Sequence, residues 1–321
     1  MSKASAPGKL ILFGEHAVVY DKLGIVTAVN LRATVKAEEA KETAVKDGDV
    51  FFKVDRTELR SIRDEVEKLI EEKNYEKMKE LSADKVFCLK NVLSRCLAEK
   101  DYHIQIESEI PEVAGMGSSS AVFACIGALF KKDLEAIREI SYMGDVLVHG
   151  GTPSGIDNSA VVYGRYLTFK KSEGPKKLRI PFEPPIVIGH TGVKSSTAKT
   201  VGHVRENIDR FMPYIEKMDA ISRKGLIALQ RNDLPSVGRL MNENQKLLER
   251  IEVSHPKLEE LIEIARQNGA LAAKLSGKGG GGVMFALCKD RAHQHEIKEA
   301  FENAGFKAYI ANLGAEGVRV G

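Results

Sequence analysis

Hydrophobic positions along this chain recur with two different periods, and the switches between them outline the elements. Leu10-Ile11-Leu12-Phe13, just after a Pro7-Gly8 turn, is a short continuous apolar run and predicts a buried strand. Residues 24–35 alternate in patches and predict another strand. Residues 50–54, after the Lys46-Asp47-Gly48-Asp49 turn signal, predict a third. Over residues 57–82 the apolar side chains Leu59, Ile62, Val66, Leu69 and Ile70 recur at helical spacing on a charged background, which predicts a helix with one wet face. An amphipathic helix over 84–100 and an alternating strand over 102–107 follow. A Gly/Ser loop at 114–120 then opens an apolar helix at 121–130, and Asp133 is placed to cap a helix that reaches Val148. Residues 150–155 form a tight turn, and 160–170 read as strand, turn and strand.

The stretch 171–185 is polar and Pro-rich, and marks a candidate domain boundary near residue 180, dividing the chain into 1–180 and 181–321. Beyond it a buried strand is predicted at 186–190 and helices at 201–217, 219–231, 234–249 and 256–268. A Gly-rich loop at 277–282 precedes a strand at 283–287, a helix at 291–304 and one or two closing strands. Strands and helices mix without a steady βαβ rhythm, so the class is α+β. At 321 residues the chain is long enough for more than one core.

Charge and cysteine content remove several functions from consideration. The formal net charge is only +3, from 48 basic and 45 acidic side chains, which argues against a dedicated nucleic-acid binder. The densest basic pairs, Lys170-Lys171 and Lys176-Lys177, fall in the polar linker and read as solvated. The four cysteines, Cys88, Cys96, Cys125 and Cys288, make no CxxC pair and read as small buried hydrophobes in a reducing compartment. The first residues lead straight into a strand-like run, and the longest apolar stretch is about half of the ~20 residues a spanning helix needs. The expectation is a soluble cytoplasmic protein that binds neither membrane nor nucleic acid.

Three segments carry candidate chemistry. In Gly115-Met116-Gly117-Ser118-Ser119-Ser120, two glycines let the backbone approach a ligand, and the serines place hydroxyls and unpaired N–H groups at a helix N-terminus. Such a terminus attracts phosphate, and a serine hydroxyl there suits Mg²⁺. The alternative is a Ser-capped helix with a flexible approach. Lys9 opens the first apolar strand and Glu15-His16 closes it; charged ends on a buried strand cost desolvation unless they face a polar cleft. Asp157 follows the Pro153-Ser154-Gly155 turn, and is either a turn or capping aspartate or a general base on a rigid turn. A fourth loop, Gly277 to Gly282, is so rich in glycine that a backbone or ligand comes very close to it, or it is a flexible hairpin.

Taken in order, these segments resemble the GHMP kinases, and within them the mevalonate kinases. The likeness rests on Ala6-Pro7-Gly8-Lys9-Leu10 with Gly14-Glu15-His16-Ala17-Val18-Val19-Tyr20, on Gly115-Met116-Gly117-Ser118-Ser119, on His149-Gly150 with Pro153-Ser154-Gly155-Ile156-Asp157-Asn158, and on the late Gly-rich loop. The resemblance implies a two-domain α+β fold, ribosomal-protein-like at the N-terminus and ferredoxin-like at the C-terminus, with the site in the cleft between. It implies transfer of the ATP γ-phosphate to a mevalonate hydroxyl in isoprenoid precursor synthesis, with Mg²⁺, in a chain that forms a homodimer in many members. Asp157 would be the catalytic aspartate and Lys9 its partner. Ser119 and Asp145 would hold the metal. Gly115, Met116, Gly117, Ser118, Ser119 and Ser120 would cradle ATP phosphates, and Lys9, Glu15, His16 and Thr191 would line the acceptor pocket.

This chain departs from the family pattern in three places. Val113 stands where a glycine is frequent, and the turn at Gly150-Gly151 carries one residue more than usual. Unless the turn absorbs that extra residue, Val146 rather than Asp145 takes the metal position. Lys278 replaces a small residue in the late loop and either pairs with a carboxylate or phosphate or points to water. The competing readings are a kinase for another acceptor, such as phosphomevalonate or a sugar, and a non-catalytic ligand sensor. A sensor would be expected to lose Lys9 or Asp157, and this chain keeps both.

Overall fold

The computed structural model describes residues 1–97, 99–111, 114–151, 153–180, 182–194 and 197–321, with 197–199 by backbone alone. Val113, named above, and Thr152 of the predicted 150–155 turn lie outside the described residues. In chain order the elements of the first half are β1 (Ser2–Phe13), β2 (Gly24–Ala40), β3 (Thr43–Asp47), β4 (Val50–Val54), α1 (Arg56–Glu71), α2 (Tyr75–Leu81), α3 (Lys85–Ser94), β5 (Asp101–Ser108), α4 (Ser118–Phe130), α5 (Leu134–Val148), α6 (Ile156–Tyr163), β6 (Tyr166–Lys170) and β7 (Gly174–Leu178). The second half continues with β8 (Pro185–His190), α7 (Thr197–Glu206), α8 (Ile208–Gln230), α9 (Leu234–Arg250), α10 (Pro256–Gln267), β9 (Ala272–Ser276), β10 (Val283–Leu287), α11 (Arg291–Asn303), β11 (Lys307–Asn312) and β12 (Arg319–Val320).

Two sheets organise the chain. The first has eight strands, with the path β12-β1-β2-β5-β3-β4 and β6 and β7 branching from β2. The second has four, in the order β11-β8-β10-β9, all antiparallel. The proposed division near residue 180 falls between β7 and β8, but β12 crosses back to pair with β1. A chain end that returns in this way closes the edge of the first sheet.

The first sheet is built on β1 and β2, paired antiparallel from Ser2–Ala37 to Phe13–Ile25. Both run much further than the predicted strands, because residues whose side chains are small or polar, Ala4, Ala6 and Lys9 among them, are still held by the ladder and the helices above it. Helix α4 is apolar on every side and is buried from Ser120 to Ala128, as a central helix must be. It lies on β1 and β2 and against α5 and α6.

Several predicted elements are corrected. Residues 57–82 form two helices rather than one, broken where Lys73 adopts a positive φ of 53° and Asn74 caps α2. Residues 160–163, predicted as a strand, belong to helix α6; Gly155 at φ 80° starts it, and burial of Ile156 and Ala160 to Val162 against the sheet outweighs β-branched propensity. The predicted break near Met218 is absent: α8 runs through it and even contains Pro213, which stands in the second turn after Asn207. Strands β3 and β7 lie in stretches whose polar or mixed sequence carries no alternation, and β9 is a short, largely apolar run interrupted by Lys274. Asp133 caps α5 through Ala136 N–H, as its position predicts.

Gly164 shows how tightly the Asp157-bearing helix is seated. It ends α6 at φ 68°, and a Cβ there would come within 2.0 Å of Gly317 N. Gly174, at φ 71°, faces open space. Gly164→Ala should therefore cost at least ~3 kcal/mol through overlap plus strain, whereas Gly174→Ala should cost about 1 kcal/mol of strain alone; denaturant unfolding of the two variants measures the difference.

Candidate active site

The site forms where β1, the first turns of α4 and α6 and the end of α5 converge with the loop between β9 and β10. The backbone N–H of Lys9 donates to the Met116 carbonyl at 2.9 Å, which locks the Gly/Ser loop onto β1. Gly117, in the left-handed region at φ 72°, starts α4, and a Cβ there would press on Lys9 Cγ at 3.1 Å. No side chain caps the helix, so the first N–H groups of α4 are left for a ligand. Gly115 and Ser119 are exposed and Ser118 is half-buried. The Met116 side chain is buried in the core at 1% exposure, so this residue serves the loop through its backbone.

Lys9 is 4% exposed and its ammonium lies 3.1 Å from Asp157 Oδ1. Asp157 occupies the first turn of α6, whose N-cap is Gly155, so its carboxylate faces Lys9 instead of capping the helix. Asp145, in the last turn of α5, is buried at 1% exposure, and Ser120 Oγ donates to it, 2.8 Å from each carboxylate oxygen. Burial, and next the charge of Asp157, hold the Asp145 carboxyl well above the usual range, against the smaller opposing pull of Ser120 and Lys9. Val146 is instead packed in the core at 4% exposure. Gly150 and Gly151 both turn at positive φ, and Asp145 is the side chain presented to α4.

Glu15, His16 and Thr191, expected to line an acceptor pocket, are all buried. Glu15 has no exposed surface: Lys274 of β9 pairs with one oxygen, and Asn244 of α9 donates to the other at 3.1 Å. His16 is 5% exposed, with φ 60°, and its Nε2 donates to the Lys278 carbonyl at 2.9 Å. The Thr191 hydroxyl donates to Gly282 O at 2.9 Å and accepts from Val193 N–H at 3.1 Å. All three side chains hold the β9–β10 hairpin or its loop. Lys9 alone of the expected acceptor contacts turns its charge toward Asp157. Two further links tie β1 to β9: Ile11 N–H donates to Ser276 Oγ at 2.8 Å, and Ser276 Oγ donates to Ile11 O at 3.2 Å.

The GHMP kinases N terminal domain family matches residues 84–165, and the GHMP kinases C terminal family matches 226–308. Mevalonate kinase of Pyrococcus abyssi is 36% identical over 335 residues, covering 99% of this chain and 97% of that protein. The chain belongs to the mevalonate kinase family of GHMP kinases. The fold agrees: the crystal structure of Methanococcus jannaschii mevalonate kinase superposes with a TM-score of 0.80 at 23% identity, covering 97% of this chain and 98% of that one. The L. major mevalonate kinase, solved in complex with R-mevalonate, superposes with a TM-score of 0.75 at 24% identity, covering 99% and 97%. Among the described residues, no helix is long and apolar enough to cross a membrane.

Against this family background, three features escape the motif reading. Lys274 lies in an otherwise apolar strand, Ala272-Ala273-Lys274-Leu275, and a lone lysine there implies a buried acid; Glu15 is that acid. Ser120, rather than Ser119, touches Asp145. Lys278 is half-buried, with Lys9, Asp157 and Lys194 as its charged neighbours.

Two predictions follow from the buried groups. Lys274→Met leaves the Glu15 carboxylate buried without its partner and should cost about 3–5 kcal/mol, while the pair of changes Glu15→Gln with Lys274→Met should recover much of that loss in urea unfolding. Burial lowers the His16 pKa from 6.5 to about 4, against the Lys278 carbonyl, which raises it. The folded state thus keeps His16 neutral while the unfolded chain takes up a proton. Its contribution is whole above the ordinary histidine value and is lost as pH falls from there toward about 4. At about 1.4 kcal/mol per pH unit, the loss nears ~2 kcal/mol by about pH 5. His16→Gln should flatten the acid limb of stability against pH by that amount.

Proposed function

We propose that the protein transfers the γ-phosphoryl group of ATP to the 5-hydroxyl of mevalonate. The observation that carries this reading is the 3.1 Å pair of Lys9 and Asp157 set beside the uncapped N-terminus of α4. Phosphoryl transfer asks the protein for positioning and for stabilisation of charge, with little covalent chemistry of its own. The α4 terminus and the Gly115 and Gly117 backbone hold the triphosphate. Asp157 accepts the proton of the attacking hydroxyl, and Lys9 stabilises the charge that develops there and keeps the carboxylate oriented.

A Mg²⁺ ion suits the residues present. Asp145 and the Ser120 hydroxyl form an oxygen-only donor pair at the start of α4, and the exposed Ser119 hydroxyl would join them. Among the described residues no group of three or more His, Cys, Asp or Glu side chains forms a metal cage, so the remaining ligands would be phosphate oxygens and water. When bound, Mg²⁺ neutralises charge on the β- and γ-phosphates. Glu15, His16 and Thr191 act in this account as supports of the β9–β10 loop, which forms one wall of the acceptor pocket.

The test is a coupled ADP-release assay with ATP, Mg²⁺ and mevalonate, phosphomevalonate, galactose or homoserine as acceptor. Turnover is expected with mevalonate, and Asp157→Asn should lower kcat by at least ~10²-fold with ATP affinity changed by less than about threefold. Turnover confined to another acceptor would reject mevalonate as the substrate. Near-normal kcat in the variant would remove Asp157 from proton transfer.

A further inference from the structure

The β9–β10 loop is one of the most constrained backbones in the molecule. Its glycines at 277, 279, 280, 281 and 282 all have positive φ. Gly280 N–H donates to Val253 O at 2.8 Å, and Gly282 N–H to Val193 O at 3.0 Å. A Cβ at Gly279 would meet Val253 O at 1.9 Å, and one at Gly281 would meet Val193 O at 2.7 Å. Gly277 abuts the phosphate loop, with Gly115 O 3.9 Å from where its Cβ would be. The single side chain longer than a hydrogen atom in this run is Lys278, and its carbonyl is the atom that His16 holds at 2.9 Å. A flexible hairpin would need none of these clamps. A loop that must present one side chain at a set place would need all of them.

That place is the reacting centre. Lys278 is half-buried, and the charges that act on it come from Lys9 of β1, Asp157 of α6 and Lys194 of the segment after β8. Burial first, then Lys9, lower its pKa, with Asp157 opposing. From the other side, His149 at the end of α5 feels Asp157, Lys278 and Lys9 together. We propose that Lys278 is a second cation of the transfer centre, which binds the transferring phosphoryl group between the α4 terminus and the acceptor hydroxyl. The proposal rests on the kinase reading above.

The chemistry selects the phosphoryl group over the acceptor's carboxylate. In the transfer, the acceptor oxygen bonds to the γ-phosphorus, the bond to the β–γ bridging oxygen breaks, that oxygen leaves with its electron pair on ADP, and the hydroxyl proton passes to Asp157. Lys278 neither gives nor takes a proton; it offsets the charge on the phosphoryl oxygens. The carboxylate of mevalonate is at the opposite end of its chain from the reacting hydroxyl, away from Lys9 and Asp157. A lysine set among Lys9, Asp157 and the Gly115 loop is therefore at the phosphoryl end.

Steady-state kinetics of the wild type, Lys278→Ala, Lys278→Gln and Lys278→Arg with ATP, Mg²⁺ and mevalonate test this, with thermal melting as the control for folding. The Ala and Gln variants should lose about 100-fold in kcat, keep the mevalonate KM within about threefold and melt like the wild type. Arginine should recover at least ~10-fold of the loss, since a cation and not the ammonium itself is needed. Unchanged kcat, or a raised mevalonate KM at constant kcat, would overturn the assignment; the second result would mean that Lys278 holds the carboxylate. Absence of wild-type turnover with mevalonate would take down the kinase reading itself, so the two failures are distinct.

Discussion

The ion pair between Glu15 and Lys274, with no exposed surface on either side chain, fixes how the two sheets meet. Burial pushes both groups toward their neutral forms, raising the Glu15 carboxyl and lowering the Lys274 ammonium, and each opposes that shift in the other. Such a pair is a poor source of net stability, because desolvation consumes the attraction. Its effect is geometric: a register that separated Glu15 from Lys274 would leave a bare charge in the interior. Asn244 on the second Glu15 oxygen, the Leu275 carbonyl and the Phe285 ring near the ammonium complete the enclosure. With Ser276 bonded to Ile11 a few residues away, β9 cannot slide along β1.

The active-site charges take their positions from that join. β1 carries Lys9, and the loop leaving β9 carries Lys278, so fixing one strand against the other sets the spacing of the two cations. The Gly/Ser loop is tied to the same strand through Met116 O, and α6 brings Asp157 against Lys9. The strained backbone of His16, at φ 60°, is tolerated because its ring secures Lys278 O at the centre of the arrangement. Burial, and next the charge of Asp157, hold the Asp145 carboxyl toward its neutral form, which lessens repulsion between the two carboxylates.

Residue types and order made the chemistry legible before any geometry was known. Glycines followed by serines at a helix start, a lysine opening an apolar strand and an aspartate after a Pro-Ser-Gly turn each had a physical reason to be there. The contacts between them were not legible. Lys9 and Asp157 are 3.1 Å apart only because β1 and α6 pack together, and no local pattern encodes that distance. The hydrogen bonds and ion pair by which Glu15, His16 and Thr191 hold the β9–β10 hairpin were not legible either. Helix α6 was misread as a strand because Val161 and Val162 suit either element, and packing on the sheet decided between them.

The most direct test of the central claim is a crystal structure with a non-hydrolysable ATP analogue, Mg²⁺ and mevalonate. The account predicts the γ-phosphate between the N-terminus of α4 and the mevalonate hydroxyl, with that hydroxyl within hydrogen-bonding reach of Asp157, about 3 Å. Glu15 would remain paired with Lys274, out of contact with either substrate. A mevalonate hydroxyl remote from Asp157, or a Glu15 carboxylate that leaves Lys274 to bind the acceptor, would contradict it.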